Sequence, residues 1–158
     1  MKKTSFTCTG SISVEGETIH CSNISGHGTQ NFVEAISNSC NPAFIQIGQM
    51  LGAGKFRQYY QGFGFSDKTG IDLPGEAEDS FWKEGKMGGV DLAVASFGQN
   101  FTITPIQMIT ACAAVSNGGY VVQPHVVSKI TDSKGNVIKT VDKKNQKNRL
   151  FQTIHPRR

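Results

Sequence analysis

The stretch that decides the fold runs from Asn31 to Gly48: N-F-V-E-A-I-S-N-S-C-N-P-A-F-I-Q-I-G. Two apolar-patterned segments meet there at a polar break, Ser39-Cys40-Asn41-Pro42. Phe32, Val33, Ala35 and Ile36 share a helical face before the break, and Ala43, Phe44, Ile45 and Ile47 share one after it. Pro42 has no N–H to lose and fits the first turn of a new helix. Asn41 before it is a good N-cap. The pattern predicts helix, short loop, helix, with the loop fixed between buried helices. A hydroxyl (Ser39) and a carboxamide (Asn41) then project from one rigid loop. Ser-x-Asn is a weak motif, and taken alone it is better explained by a cap followed by a turn.

A chain of 158 residues is one domain or part of one, long enough to bury a core. The net charge of +4 is unevenly placed. Residues 1–138 carry nine Lys/Arg against eleven Asp/Glu, and residues 139–158 carry seven Lys/Arg against one Asp. The body is slightly acidic and the basicity belongs to a tail, which argues against a nucleic-acid-binding domain. Met1-Lys2-Lys3 resembles the start of a secretory signal, but T-S-F-T-C-T-G follows with no apolar core, so no signal is assigned. No run reaches transmembrane length.

Along the chain, Thr4–Thr9 and Glu17–Cys21 read as paired strands with a turn at Glu15-Gly16. A loop centred on Gly26-His27-Gly28 leads to the helix pair, whose second member should end near Leu51, with breaks at Gly52 and Gly54. Lys55–Gln61 reads as a short helix, 62–89 as a long acidic, glycine-rich loop, and Val90–Phe97 as a helix. Thr104-Pro105-Ile106-Gln107 has the form of a capping box, opening a helix that stops at Asn117-Gly118-Gly119. Val126–Thr131 and Val137–Val141 read as a hairpin about Ser133-Lys134-Gly135-Asn136. The expected division is one partial domain over 4–141 and a poorly ordered basic tail over 142–158. Cys40 and Cys112 are expected as small core fillers, and the aromatics Phe44, Phe56, Tyr59, Tyr60, Phe63 and Phe65 as core.

Ser39-Cys40-Asn41 within A-I-S-N-S-C-N-P-A-F resembles the Ser-x-Asn motif of penicillin-binding proteins. Further stretches match in the same order. Phe63-Gly64-Phe65 with Thr69-Gly70-Ile71-Asp72-Leu73-Pro74-Gly75-Glu76 is similar to the family's F-G-F-G…T-G-I-D-L-P-G-E segment. Ser96-Phe97-Gly98-Gln99 with Thr104-Pro105-Ile106-Gln107-Met108 is similar to S-F-G-Q-G…T-P-L-Q-M, and Asn117-Gly118-Gly119 with Pro124-His125 to N-G-G…P-H. The resemblance covers roughly Thr7 to Lys139 and is to class B high-molecular-weight members, including the division and sporulation types, with the division, elongation or sporulation role left open. It implies an α+β fold. This piece should be mostly the helical lobe of the penicillin-binding/serine β-lactamase-like transpeptidase fold, with two small β-hairpins and the central sheet largely missing.

Pattern matching finds all three catalytic motifs of that family, Ser80-x-x-Lys83, Ser39-x-Asn41 and Lys68-Thr69-Gly70. Only the second fits. A nucleophilic serine needs a neutral lysine one helical turn away. Ser80 follows Pro74-Gly75-Glu76-Ala77-Glu78-Asp79, whose carboxylates keep Lys83 charged. In the family this motif precedes Ser-x-Asn, whereas here it follows. Lys68-Thr69-Gly70 sits where the resemblance gives Thr-Gly a structural place. The chain is therefore expected to be an internal piece of a peptidoglycan D,D-transpeptidase, lacking the nucleophile and Lys-Thr-Gly motifs and inactive alone. The alternative is a non-catalytic scaffold that retains the fold.

By resemblance Ser39 assists proton movement and Asn41 hydrogen-bonds the donor-peptide amide or a β-lactam side chain. The implied partners are the peptidoglycan stem peptide and β-lactams in the intact enzyme, with no nucleic acid. The membrane enters only through a missing N-terminal anchor, on the extracytoplasmic face. No cofactor and no metal are expected. A zinc site from Cys8, His20, Cys21 and His27 fits no standard finger spacing, and for an extracytoplasmic protein a Cys8–Cys21 disulfide is favoured over it.

Overall fold

The computed structural model describes residues 4–77, 81–82, 85–141 and the backbone of 146–149. The chain forms two compact units, one of Met1–Arg57 with Trp82–Phe101 and one of Gln58–Phe81 with Thr102–Arg158.

The first unit opens with β1 (Phe6–Cys8), β2 (Ser11–Val14), β3 (Glu17–His20) and β4 (Gly28–Gln30). β2 and β3 form an antiparallel hairpin across Glu15-Gly16, while β1 pairs antiparallel with β4, with Cys8 opposite Gly28. This corrects the expected pairing of Thr4–Thr9 with Glu17–Cys21. The turn was placed correctly, but Gly10 at φ +96 ends β1 and lets the chain start a new strand.

The helices α1 (Phe32–Ser37), α2 (Asn41–Leu51) and α4 (Gly89–Ser96) complete this unit. Asn31 opens α1 with a capping box to Glu34. The apolar face expected of α1 is largely solvent-facing: Phe32 is 52% exposed, Val33 70% and Ile36 50%, and only Ala35 is buried. The loop after it is thus not fixed between two buried helices, because α2 alone is buried there, through Pro42, Ala43, Ile45 and Gly48. α2 crosses α4 so closely that a Cβ on Gly48 would overlap the Ser96 side chain. Two cores result. Phe6, Cys8, Cys21, Ala35, Cys40 and Ala43 form one, and Val14, Ile45 and Ala93 form the other, with Ile12, Ile19, Val90 and Phe97 against them.

The helix α3 (Ala53–Gly62) begins in the first unit and runs into the second. Gly52 is the break, and Gly54 lies inside α3. In the second unit α5 (Pro105–Ser116) starts with the expected Thr104/Gln107 capping box. Ala114 of α5 packs on Val121 of β5 (Tyr120–Val122), with Tyr59 and Phe63 against them. β6 (Lys129–Thr131) and β7 (Val137–Thr140) form the second hairpin. β5 pairs with β8 (Gln146–Arg149), so part of the tail expected to be poorly ordered is a paired strand. Its register comes from β5, a distant partner, and not from apolar periodicity of its own. Cys112, expected in the core, is exposed on α5. Among the described residues no helix is long and apolar enough to cross a membrane.

Candidate functional site

The turn between α1 and α2 presents Ser39 and Asn41. α1 ends in a Schellman arrangement: Ser39 N–H donates to Ile36 O at 3.0 Å, and Cys40 N–H to Ala35 O at 3.1 Å. That motif needs a left-handed residue in the position Ser39 occupies, at φ 47. Glycine is the usual occupant, since a side chain there costs on the order of 1–2 kcal/mol. Ser39 is exposed, and its hydroxyl is committed to no hydrogen bond among the described residues.

Cys40, not Asn41, is the N-cap of α2, and Asn41 is its first helical residue. The Asn41 amide is thereby released from capping, and its Nδ2 donates to His20 O at 3.1 Å, tying the motif to the end of β3. Its Oδ1 has no partner among the described residues and remains able to accept. The structure thus brings both expected residues to one turn, two positions apart, on opposite sides of a buried cysteine.

Of the other two pattern matches, Lys68-Thr69-Gly70 lies among the described residues. Thr69 N–H and Oγ1 both donate to Glu76 Oε1 at 2.6 Å, and Gly70 N–H donates to Glu76 Oε2 at 3.0 Å. Thr69-Gly70 closes its own loop on Glu76, in keeping with a structural place for that Thr-Gly. Ser80 and Lys83 lie outside the described residues. Nearby, the Asp72 carboxylate accepts from Val126 N–H at 2.8 Å and Val127 N–H at 2.9 Å. Those two amides hold its pKa below the ordinary carboxylate value, and His125 adds to the effect. Gln107, fully buried, donates from Nε2 to Phe65 O and Asp67 O, as a helical-core glutamine should.

The sequence reading weighed a group of Cys8, His20, Cys21 and His27 and preferred a disulfide, and it missed Cys40 as a member of what lies beneath the turn. Cys8 and Cys21 are free thiols, so the expected disulfide is replaced by a larger cluster. The ligand atoms of Cys8, Cys21, His27 and Cys40 all lie within 4.8 Å of one another, with Cys21 Sγ 3.5 Å from His27 Nδ1. His20 is not among them: its side chain leaves on the exposed side of β3. The cluster was hidden because Cys40 was assigned to packing. The available signal was the histidine between two glycines, Gly26-His27-Gly28, both at positive φ.

Comparison with known proteins follows the same segments. The family described as "Penicillin binding protein transpeptidase domain" matches residues 1–155. The chain belongs to the penicillin-binding protein transpeptidase family. It is 38% identical over 132 residues to stage V sporulation protein D of Bacillus subtilis, covering 84% of this chain and 20% of that protein. It is 39% identical over 112 residues to the peptidoglycan D,D-transpeptidase MrdA of Acinetobacter baumannii, covering 65% of this chain and 16% of that one. Among solved structures, PBPA of Mycobacterium tuberculosis superposes with a TM-score of 0.82 at 23% identity, over 98% of this chain and 37% of that one. The chain therefore spans at most about a fifth of the length of these curated relatives. The four strand pairs and the helices are part of the family's α+β fold.

Proposed function

We propose that this chain supplies the Ser-x-Asn part of a peptidoglycan D,D-transpeptidase site at the extracytoplasmic face of the cell membrane. The observation that carries the proposal is the Ser39 turn. A non-glycine residue is held left-handed, its hydroxyl is exposed and uncommitted, and a free amide oxygen lies two residues on. Strain of this kind persists where function selects the side chain.

In the assembled site Ser39 relays a proton between the nucleophilic serine, its lysine and the leaving amine. Asn41 Oδ1 accepts from the amide N–H of the donor stem peptide, or from the side-chain amide of a β-lactam. A similar structure, penicillin-binding protein 3 of Mycobacterium tuberculosis, is complexed with aztreonam and superposes with a TM-score of 0.79.

Acylation also needs an activated serine, a neutral lysine and donors for the developing oxyanion. The Ser39 turn offers none of these, so the 158-residue chain alone should not react. Gel labelling with a fluorescent penicillin, beside an intact transpeptidase, tests this. No covalent band is expected. A band lost on Ser39→Ala would make Ser39 the nucleophile, and a band lost on Ser80→Ala would restore a complete, rearranged site.

A further inference from the structure

We propose that the β6–β7 hairpin docks on an anionic lipid surface, through Ile130, Val137 and Ile138 flanked by Lys129, Lys134 and Lys139. A two-stranded hairpin is marginal in water unless one face packs on something apolar. Among the described residues this one has no such face: every residue of Lys129–Thr131 and of Val137–Thr140 is exposed. Ile130 is 48% exposed, Val137 54% and Ile138 67%. Three branched apolar side chains therefore stand in solvent within one small ladder, beside three lysines.

The hairpin is held firmly at both ends. At its tip Asp132 Oδ1 accepts from Lys134 N–H at 2.9 Å and from Asn136 N–H at 2.8 Å, and Oδ2 accepts from Asn136 Nδ2 at 2.9 Å. Asp132 N–H also donates to Asn136 O at 2.9 Å. The only carboxylate between Lys129 and Thr140 is thus committed to the turn, and that turn carries Lys134. At the base Val141 N–H donates to Ser128 O at 3.0 Å, and the Asp72 carboxylate holds the Val126 and Val127 amides. A surface already ordered in this way loses little conformational entropy on binding.

Charge and register together select the occupant. The hairpin carries three lysines against one aspartate, and the whole stretch 129–158 carries nine Lys/Arg against two Asp. That balance draws in a negative surface. Ile130 lies opposite Lys139 in the ladder, so an apolar side chain and an ammonium share one face. A lysine stem can lie along an apolar layer while its head reaches a phosphate. A polar polyanion engages the lysines but leaves both isoleucines and Val137 in water. A second copy of this chain buries those side chains but sets like charges against each other. A bilayer of anionic lipid meets both demands. Headgroup phosphates take the ammonium groups, and the apolar side chains enter the boundary between headgroups and acyl chains.

This contact is separate from the N-terminal anchor that the resemblance implies. It does not depend on the transpeptidase reading, and its test involves no β-lactam. The purified 158-residue chain is floated with vesicles of phosphatidylcholine alone, and with vesicles in which about a third of the lipid is phosphatidylglycerol. Binding is expected to the second only, weakening as salt is raised. Lys129→Gln/Lys134→Gln/Lys139→Gln should weaken it by about 10²-fold, each lysine near the surface being worth roughly fivefold. Ile130→Ser/Ile138→Ser should weaken it by about tenfold. Both variants change exposed side chains, so the melting temperature should hold. Light scattering of the lipid-free chain should give a monomer. A folded chain that ignores phosphatidylglycerol vesicles would overturn the proposal. Binding that survives the lysine substitutions would do the same. Binding indifferent to the serine substitutions would reduce it to a contact of charge alone and overturn it too. A lipid-free dimer lost on Ile130→Ser/Ile138→Ser would make the occupant a second copy, again against the proposal.

Discussion

Ser39 holds a side chain where the backbone favours glycine. At φ 47 it occupies the glycine position of a helix C-terminus. Ser39→Gly should raise stability by about 1 kcal/mol, read from the urea midpoint at unchanged slope, while removing the hydroxyl. A loss of stability would show that the hydroxyl makes a contact that holds the turn. Gly26 gives the opposite case. Gly26→Ala adds a Cβ where Cys8 O already lies, at φ +81, and should cost at least about 2 kcal/mol in the same measurement. Asp72 carries a pH signature. Its native pKa is depressed by the Val126 and Val127 amides, so its contribution to stability is present above the ordinary aspartate pKa and is lost as pH falls through the lowered native value. The Val126 and Val127 amide resonances should titrate together, with a midpoint below that of an exposed aspartate, and Asp72→Ala should abolish the titration.

At the scale of elements, local chemistry was legible and distant pairing was not. The start of α5 could be read from Thr104-Pro105-Ile106-Gln107 because a capping box is written in four adjacent residues. Thr104→Ala should therefore cost about 1 kcal/mol in thermal or urea unfolding. The β6–β7 hairpin was legible for the same reason, with its turn lying between its strands. β1 was paired wrongly because its partner, β4, lies twenty residues away beyond another hairpin, and three-residue strands carry too little alternation to specify a mate. β8 was missed likewise, since β5 rather than its own sequence places it. The apolar face of α1 was read as buried because periodicity reports a face and not what covers it. Phe32, Val33 and Ile36 are exposed, as are Met108, Ile109 and Val115 of α5.

For the whole molecule, the family could be read from the order of several short segments, none specific alone. The same reading singled out Ser39 and Asn41, because the Ser-x-Asn pattern is contiguous in sequence. It named Cys8, Cys21 and His27 together but left out Cys40, because the group is spread over 33 positions from Cys8 to Cys40 and meets only through β1–β4 pairing and two positive-φ glycines. The central claim is the proposal that Ser39 and Asn41 are working parts of a transpeptidase site. The direct measurement places this chain's 132-residue aligned stretch into stage V sporulation protein D of Bacillus subtilis and follows β-lactam acylation of the chimera. Acylation should be retained, and Ser39→Ala should slow it by about 10²-fold or more, the scale of a lost proton relay. A folded chimera that is not acylated, or whose rate is indifferent to Ser39→Ala and Asn41→Ala, would contradict the claim and leave a fold kept as a scaffold.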